Sequence, residues 1–68
     1  MKSVSGKRLC KILEINGWQL KKINGSHHIY MKHGKKERIS IPVHANKDIK
    51  LVILMSIIKI AEIDTNEL

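Results

Sequence analysis

The stretch "WQLKKINGSHHIYMKHGKKERISIPV", Trp18 to Val43, decides the fold. It holds three short runs separated by two turn signals. "WQLKKI" alternates, with Trp18, Leu20 and (less cleanly) Ile23 set against Gln19 and Lys21, the pattern of a half-buried strand. "NGS" follows, and Asn24-Gly25 supplies the positive φ that a tight hairpin turn requires. "HHIYMK" is the second strand, with Ile29 and Met31 on one face and His28, Tyr30 and Lys32 on the other. "HGKK" is a second turn. "RISIPV" is the third strand, with Ile39 and Ile41 facing one way and Pro42 closing it. Turns this short join antiparallel neighbours, so the three runs predict a meander.

On either side lies a helical pattern. In "SGKRLCKILEING", Leu9, Ile12 and Leu13 fall at i, i+3 and i+4, one face of a helix. Ser5 is the expected N-cap, and Gly17 sits where a left-handed glycine ends a helix. The first helix is predicted over Gly6 to Asn16. In "DIKLVILMSIIKIAEI", Leu54, Ile57, Ile58 and Ala61 are helically spaced, which predicts a second helix over Lys50 to Ile63 with Asp48 as its cap. "LVIL" is apolar all round and partly β-branched, so it suits a strand as well. Leu51, Val52, Ile53 and Met55 exceed what one thin core can bury, and some are expected to face a partner.

The predicted order is helix, strand, strand, strand, helix. Two helices on one face of a three-stranded antiparallel sheet bury both helical stripes. That is an α+β fold of double-stranded-RNA-binding-domain type, predicted as a single domain over residues 1–68.

A chain of 68 residues leaves much of its surface in water and has a thin core. Cys10 is the only cysteine, so no disulfide forms within the chain, and a lone cysteine with no targeting segment points to the cytoplasm. The longest uncharged run, Leu51 to Ile58, is far too short to span a bilayer, so no membrane role is expected. Thirteen Lys and Arg against six Asp and Glu give a formal net charge of +7. Such a surface attracts phosphates, and equally an acidic protein.

Three local features resemble the HicA family of toxin–antitoxin ribonucleases: Gly17-Trp18 ending the first helix, Gly25-Ser26-His27 opening the second strand, and "IPVHANKDIK", Ile41 to Lys50, leading into a last helix that ends "IIKIAEI". The resemblance covers nearly the whole chain. One position departs from it. The family usually carries a Gly-Thr pair at the start of the last helix, with the threonine helping to cap it; Val52 and Ile53 stand there in this chain. The resemblance implies a small ribonuclease that cleaves mRNA and is neutralised by a HicB-like antitoxin. It places the catalytic histidine at His27, with His28 as the alternative, because some relatives carry the histidine one place later.

The residues themselves suit that chemistry. RNA carries its own nucleophile, the 2′-hydroxyl. A nuclease working without a metal or other cofactor needs a base for that proton and positive charge near the phosphate. Histidine transfers protons near neutral pH, and lysine stabilises phosphoryl charge. The expected RNA-binding residues are Ser26, Lys21, Lys22, Lys32, Lys35, Lys36, Lys47, Lys50 and His44, the hairpin lysines and Arg38 being expected to gather around His27. The alternation makes His28 the more exposed of the pair; the resemblance favours His27, which also comes first after the turn. His44 either touches RNA or holds its loop, and His33 lies on the surface. The histidines and Cys10 match no standard zinc spacing, so no metal is expected. Trp18 is expected in the core, Cys10 in the core or at its boundary, and Tyr30 on a face open to base stacking. The alternative function is an RNA-binding module without catalysis, or an antitoxin-bound inactive homologue.

Overall fold

The computed structural model describes residues 3–45 and 47–68, so Asn46 of the "PVHANK" element lies outside the described residues. The order is α1 (Gly6–Ile15), β1 (Gln19–Asn24), β2 (His27–Met31), β3 (Arg38–Pro42), α2 (Leu51–Ala61) and a short 3-10 turn (Thr65–Glu67). The strands form one antiparallel sheet in the order β1-β2-β3, the topology of a double-stranded-RNA-binding domain.

Helix α1 begins as its sequence predicts. The Ser5 hydroxyl accepts a hydrogen bond from the Arg8 N–H at 3.2 Å, and Gly17 leaves the helix at φ +92°. Gly6 is needed for a close approach. A Cβ there would sit 2.6 Å from the Pro42 carbonyl oxygen, so this glycine lets the start of α1 press on the end of β3.

Helix α2 buries Leu54, Ile57, Ile58 and Ala61, the stripe its spacing predicts. Its start differs from expectation. Lys50, not Asp48, occupies the N-cap position, and no side chain caps the helix. Asp48 instead forms an isolated bridge with Ser5, and the adjacent Ile49 N–H donates to the Val4 carbonyl at 2.8 Å. These two contacts tie the loop before α2 to the segment entering α1, which carries Asp48 away from the exposed amides of α2. Leu51, Val52, Ile53 and Met55 remain exposed, Val52 at 79%.

The core joins Leu9, Leu13, Trp18, Tyr30, Ile39, Ile41 and Leu54, with Ile63 and Leu68 sealing it from the C-terminal side. The chain reverses at Glu62, whose backbone is left-handed (φ 57°), so Ile63 follows the helix instead of ending it. The acidic tail then folds as a capping box, with Asp64 and Glu67 each bonding the other's backbone. Asn16 donates to Glu67 Oε1 at 3.0 Å, which fastens the tail to the end of α1.

Two expectations for the sheet are overturned. Strand β1 is exposed at every position instead of half-buried, because it is an edge strand that the helices do not cover. Its uneven alternation has a physical cause. A bulge at Lys21 shifts the register between Leu20 and Lys22, so Leu20 and Ile23 both face the helices, opposite Tyr30 and His28. The second correction concerns Tyr30, which is 1% exposed and belongs to the core, not to an open stacking face. Ile29 and Met31 lie on the face away from the helices. Cys10 and Trp18 are buried as expected.

Candidate nucleic-acid interface

The site grows from the β1–β2 turn. Asn24 pairs with His27 as the last rung of the hairpin, so the turn residues are Gly25 and Ser26, not Asn24 and Gly25. Gly25 takes φ +62°, the left-handed conformation that such a tight turn needs and that glycine adopts without strain. The Ser26 carbonyl accepts from the Val43 N–H at 2.8 Å, which binds the turn to the end of β3.

Strand alternation then separates the two histidines. His28 pairs with Ile23 and Ile41 and shares the helix-facing side with Tyr30; it is half-buried. His27 points to the open face and is exposed. The alternation marks His28 as the more exposed residue, on the polarity of its neighbours. That reading fails because Tyr30, not Ile29 or Met31, fills the core, which inverts the two faces. On the open face, His27 Nδ1 lies 3.1 Å from Ser40 Oγ of β3. Lys22 lies on the same face, opposite Ile29 and diagonal to His27, within reach of long side chains.

Beside this end of the sheet, His44, Lys47 and Lys50 line a cleft of about 210 Å³ with Pro42, Asp48, Ile49 and Ile53. Pro42 is the β3 partner of His27, so the cleft adjoins the histidine end. Helix α1 starts against Pro42 and Val43, and α2 starts from the cleft wall. The positive ends of two helix dipoles therefore meet where three basic side chains and an exposed histidine already gather.

The other lysines expected to bind RNA do not collect there. Strand β2 runs from His27 to Met31, so Lys32, His33, Lys35, Lys36 and Arg38 lie at the opposite end of the sheet, about 13 Å away at ~3.3 Å per residue. The expectation that the hairpin draws them around His27 is overturned by this strand direction. Lys35 is engaged elsewhere: its Nζ meets Glu62 Oε1 at 3.0 Å and donates to the Ile60 carbonyl at 3.3 Å, fastening the β2–β3 loop to the end of α2. Lys21 sits in the bulge and donates to Gln19 Oε1 at 3.1 Å. With Gln19, Met31, Lys32 and His33 it lines a separate shallow pocket.

Sequence reasoning missed Ser40, Lys7 and Lys11. Ser40 stands between Ile39 and Ile41, so its outward direction was legible; its place beside His27 depends on the β2–β3 register. Among the described residues, no three His, Cys, Asp or Glu side chains form a cluster that could hold a metal ion. No helix of the described residues is long and apolar enough to cross a membrane.

Behind the sheet, the Tyr30 hydroxyl donates to Glu14 Oε2 at 2.6 Å. Burial first, and then this hydrogen bond to a carboxylate, hold the Tyr30 phenol well above its ordinary value. Burial likewise raises the Cys10 thiol beside it, leaving it protonated and unreactive at neutral pH.

Fold and site together define a small basic α+β domain of double-stranded-RNA-binding topology, with an exposed histidine and a cationic cleft at one end of its sheet. The family described as HicA toxin of bacterial toxin-antitoxin matches residues 6–63, and the chain belongs to it. It is accordingly a toxin of a toxin–antitoxin system, in a family whose members are in general ribonucleases with an antitoxin partner. No curated protein matches the chain.

Proposed function

We propose that this toxin is an endoribonuclease that cleaves mRNA, with His27 as its proton-transfer group and no metal in the chemical step. One observation carries the reading: an exposed histidine at the open end of the sheet, with its Nδ1 held 3.1 Å from Ser40 Oγ. That contact uses Nδ1 and leaves Nε2 available to substrate, and it accommodates both tautomers. With Nδ1–H donating to Ser40, Nε2 is a free base. With the Ser40 hydroxyl donating to Nδ1, Nε2 carries a proton to give.

The step follows from RNA's own chemistry. Nε2 takes the 2′-hydroxyl proton as the oxygen attacks phosphorus. The O2′–P bond forms, the P–O5′ bond breaks, and the departing 5′-oxygen takes up a proton from water, the protonated His27 afterwards returning its own proton to solvent. The products are a 2′,3′-cyclic phosphate and a 5′-hydroxyl. Lys22 on the same face, and Lys47 and Lys50 around the adjoining cleft, supply positive charge to the phosphates, and His44 adds a hydrogen-bonding ring beside them. Lys32 and Lys36 lie too far along the sheet for the same phosphate and serve the flanking strand. A HicB-like antitoxin, acidic over the histidine end and apolar against Leu51, Val52 and Met55, would neutralise the toxin.

A second reading, an RNA binder or antitoxin-bound homologue without catalysis, draws on the uncapped start of α2 and on Val52-Ile53 in place of the family's Gly-Thr pair. Purified wild type and His27→Ala, incubated with RNA, decide between the two. Positioned acid–base groups contribute about 10²–10⁴ in rate, so His27→Ala is expected to lose cleavage by that order while keeping its fold. Normal cleavage by His27→Ala with a dead His28→Ala transfers the role to His28. Wild-type protein that binds RNA without cutting it establishes the second reading.

A further inference from the structure

A groove of about 300 Å³ runs along the other side of the sheet, between α1 and the β1–β2 hairpin. Its floor is Leu20, Tyr30 and Val43; its rim carries Lys7, Lys11 and His28. Lys7 and Lys11 are one helical turn apart, about 6 Å along the axis, a separation close to that of neighbouring phosphates in a single strand. Both are exposed, and among the described residues neither ammonium meets a carboxylate. Glu14, the acidic residue of the groove, accepts from the Tyr30 hydroxyl through Oε2 at 2.6 Å. The groove lies on the opposite face from the proposed cleavage site but at the same end of the sheet: His28 follows His27 directly, and Val43 is hydrogen-bonded to Ser26 in the turn. Lys7, in the first turn of α1, lies at that same end because Gly6 packs against Pro42 and Val43.

We infer that this groove is a second RNA subsite, which takes a nucleotide flanking the scissile phosphate after the strand has passed around the β1–β2 turn. The base lies on the apolar floor, beside His28, and its phosphates meet Lys7 and Lys11. The occupant is RNA because an apolar floor under two unpaired ammonium groups complements a base attached to phosphates. The inference rests on the proposed function only in taking RNA as the ligand, not in the choice of catalytic residue. His28 then has a role distinct from that of His27: it positions the strand and does not exchange its proton.

The test uses the full chain and a single-stranded oligoribonucleotide carrying 2′-O-methyl groups, which lack the attacking hydroxyl, so binding is read without cleavage. Loss of two phosphate contacts in Lys7→Gln/Lys11→Gln should weaken binding and flatten the salt slope by about 1.4, at ~0.7 per phosphate. Between ~50 and ~200 mM salt the variant then loses about sevenfold less affinity than wild type. Leu20→Glu, which sets a carboxylate over the groove floor, should also weaken binding, and NMR resonances of His28 and Leu20 should shift on titration with the oligonucleotide. Wild-type affinity and salt slope in the double variant overturn the inference. So does a titration that leaves His28 and Leu20 unmoved, or one in which a glutamate-rich peptide shifts them and RNA does not. Weakened binding in the double variant together with full cleavage by His27→Ala upholds the groove and rejects the catalytic assignment. Unchanged binding together with a dead His27→Ala does the reverse.

Discussion

Ser40 is the residue through which the geometry acts on His27. It touches no reacting atom in the proposed step; it fixes the imidazole, at 3.1 Å from Nδ1, and so acts as a positioning residue. A single hydrogen bond of this kind contributes about 1 kcal/mol net, roughly a fivefold effect on rate. Ser40→Ala is expected to lower kcat by that factor with KM little changed, and Ser40→Thr to restore it. A Ser40→Ala enzyme with unaltered kcat and pH profile would show that the contact does not orient the ring. On the buried side, Tyr30 and Cys10 couple stability to alkaline pH. Both groups titrate higher in the folded chain than their ordinary values, because burial disfavours the charged forms. The unfolded chain therefore releases these protons first. Stability is full below the unfolded values, about 8.5 for cysteine and 10 for tyrosine, and falls as pH rises beyond them. Urea unfolding at stepped pH is expected to show this decline above about pH 9, and a shallower one in Tyr30→Phe.

Among the elements, α2 is the one whose local chemistry is incomplete. Lys50 holds the N-cap position with φ −59° and ψ 140°, and no side chain satisfies the amides of the first turn. Serine at that position adopts the same backbone and can accept from those amides. Lys50→Ser is expected to stabilise the fold by about 1 kcal/mol, raising Tm by about 5 °C for a domain of this size. It should also weaken RNA binding by removing one charge from the cleft. A variant that melts no higher than wild type would mean that the first-turn amides are already well solvated. The helix holds its place through its buried stripe, Leu54, Ile57, Ile58 and Ala61, and through the Lys35–Glu62 ion pair at its far end, not through its start. Strand β1 is held mainly by its ladder to β2, since its side chains are exposed throughout.

Charge acts over the whole molecule. A net charge of +7 on so small a body makes RNA affinity fall as salt rises. With Lys22, Lys47 and Lys50 near one end of the sheet, a slope of at least ~2 in log affinity against log salt is expected for a single strand. Affinity that is flat with salt would remove phosphate neutralisation from the account.

Much of this architecture was legible in the chain alone. Ser5 and Gly17 bound the first helix, Leu54, Ile57, Ile58 and Ala61 gave the buried stripe of the second, and Asn24-Gly25 with short neighbouring runs required a hairpin. These are local rules, in which capping, helical spacing and positive φ are settled within a few residues. Tertiary structure alone decided which face of β2 is buried. Alternation fixes that Tyr30 and Ile29 oppose each other but not which of them meets the helices, and the packing of α1 and α2 chose Tyr30. That choice put His27 in the open and His28 beneath the sheet. The neighbours of His27 were likewise undetermined by proximity in sequence. Lys32, Lys35 and Lys36 follow it within nine residues, yet an extended strand carries them to the far end. Ser40, thirteen residues away, comes within hydrogen-bonding distance because antiparallel register brings β3 back beside it. Strand register is a pairing between distant segments, and no single stretch of sequence contains it.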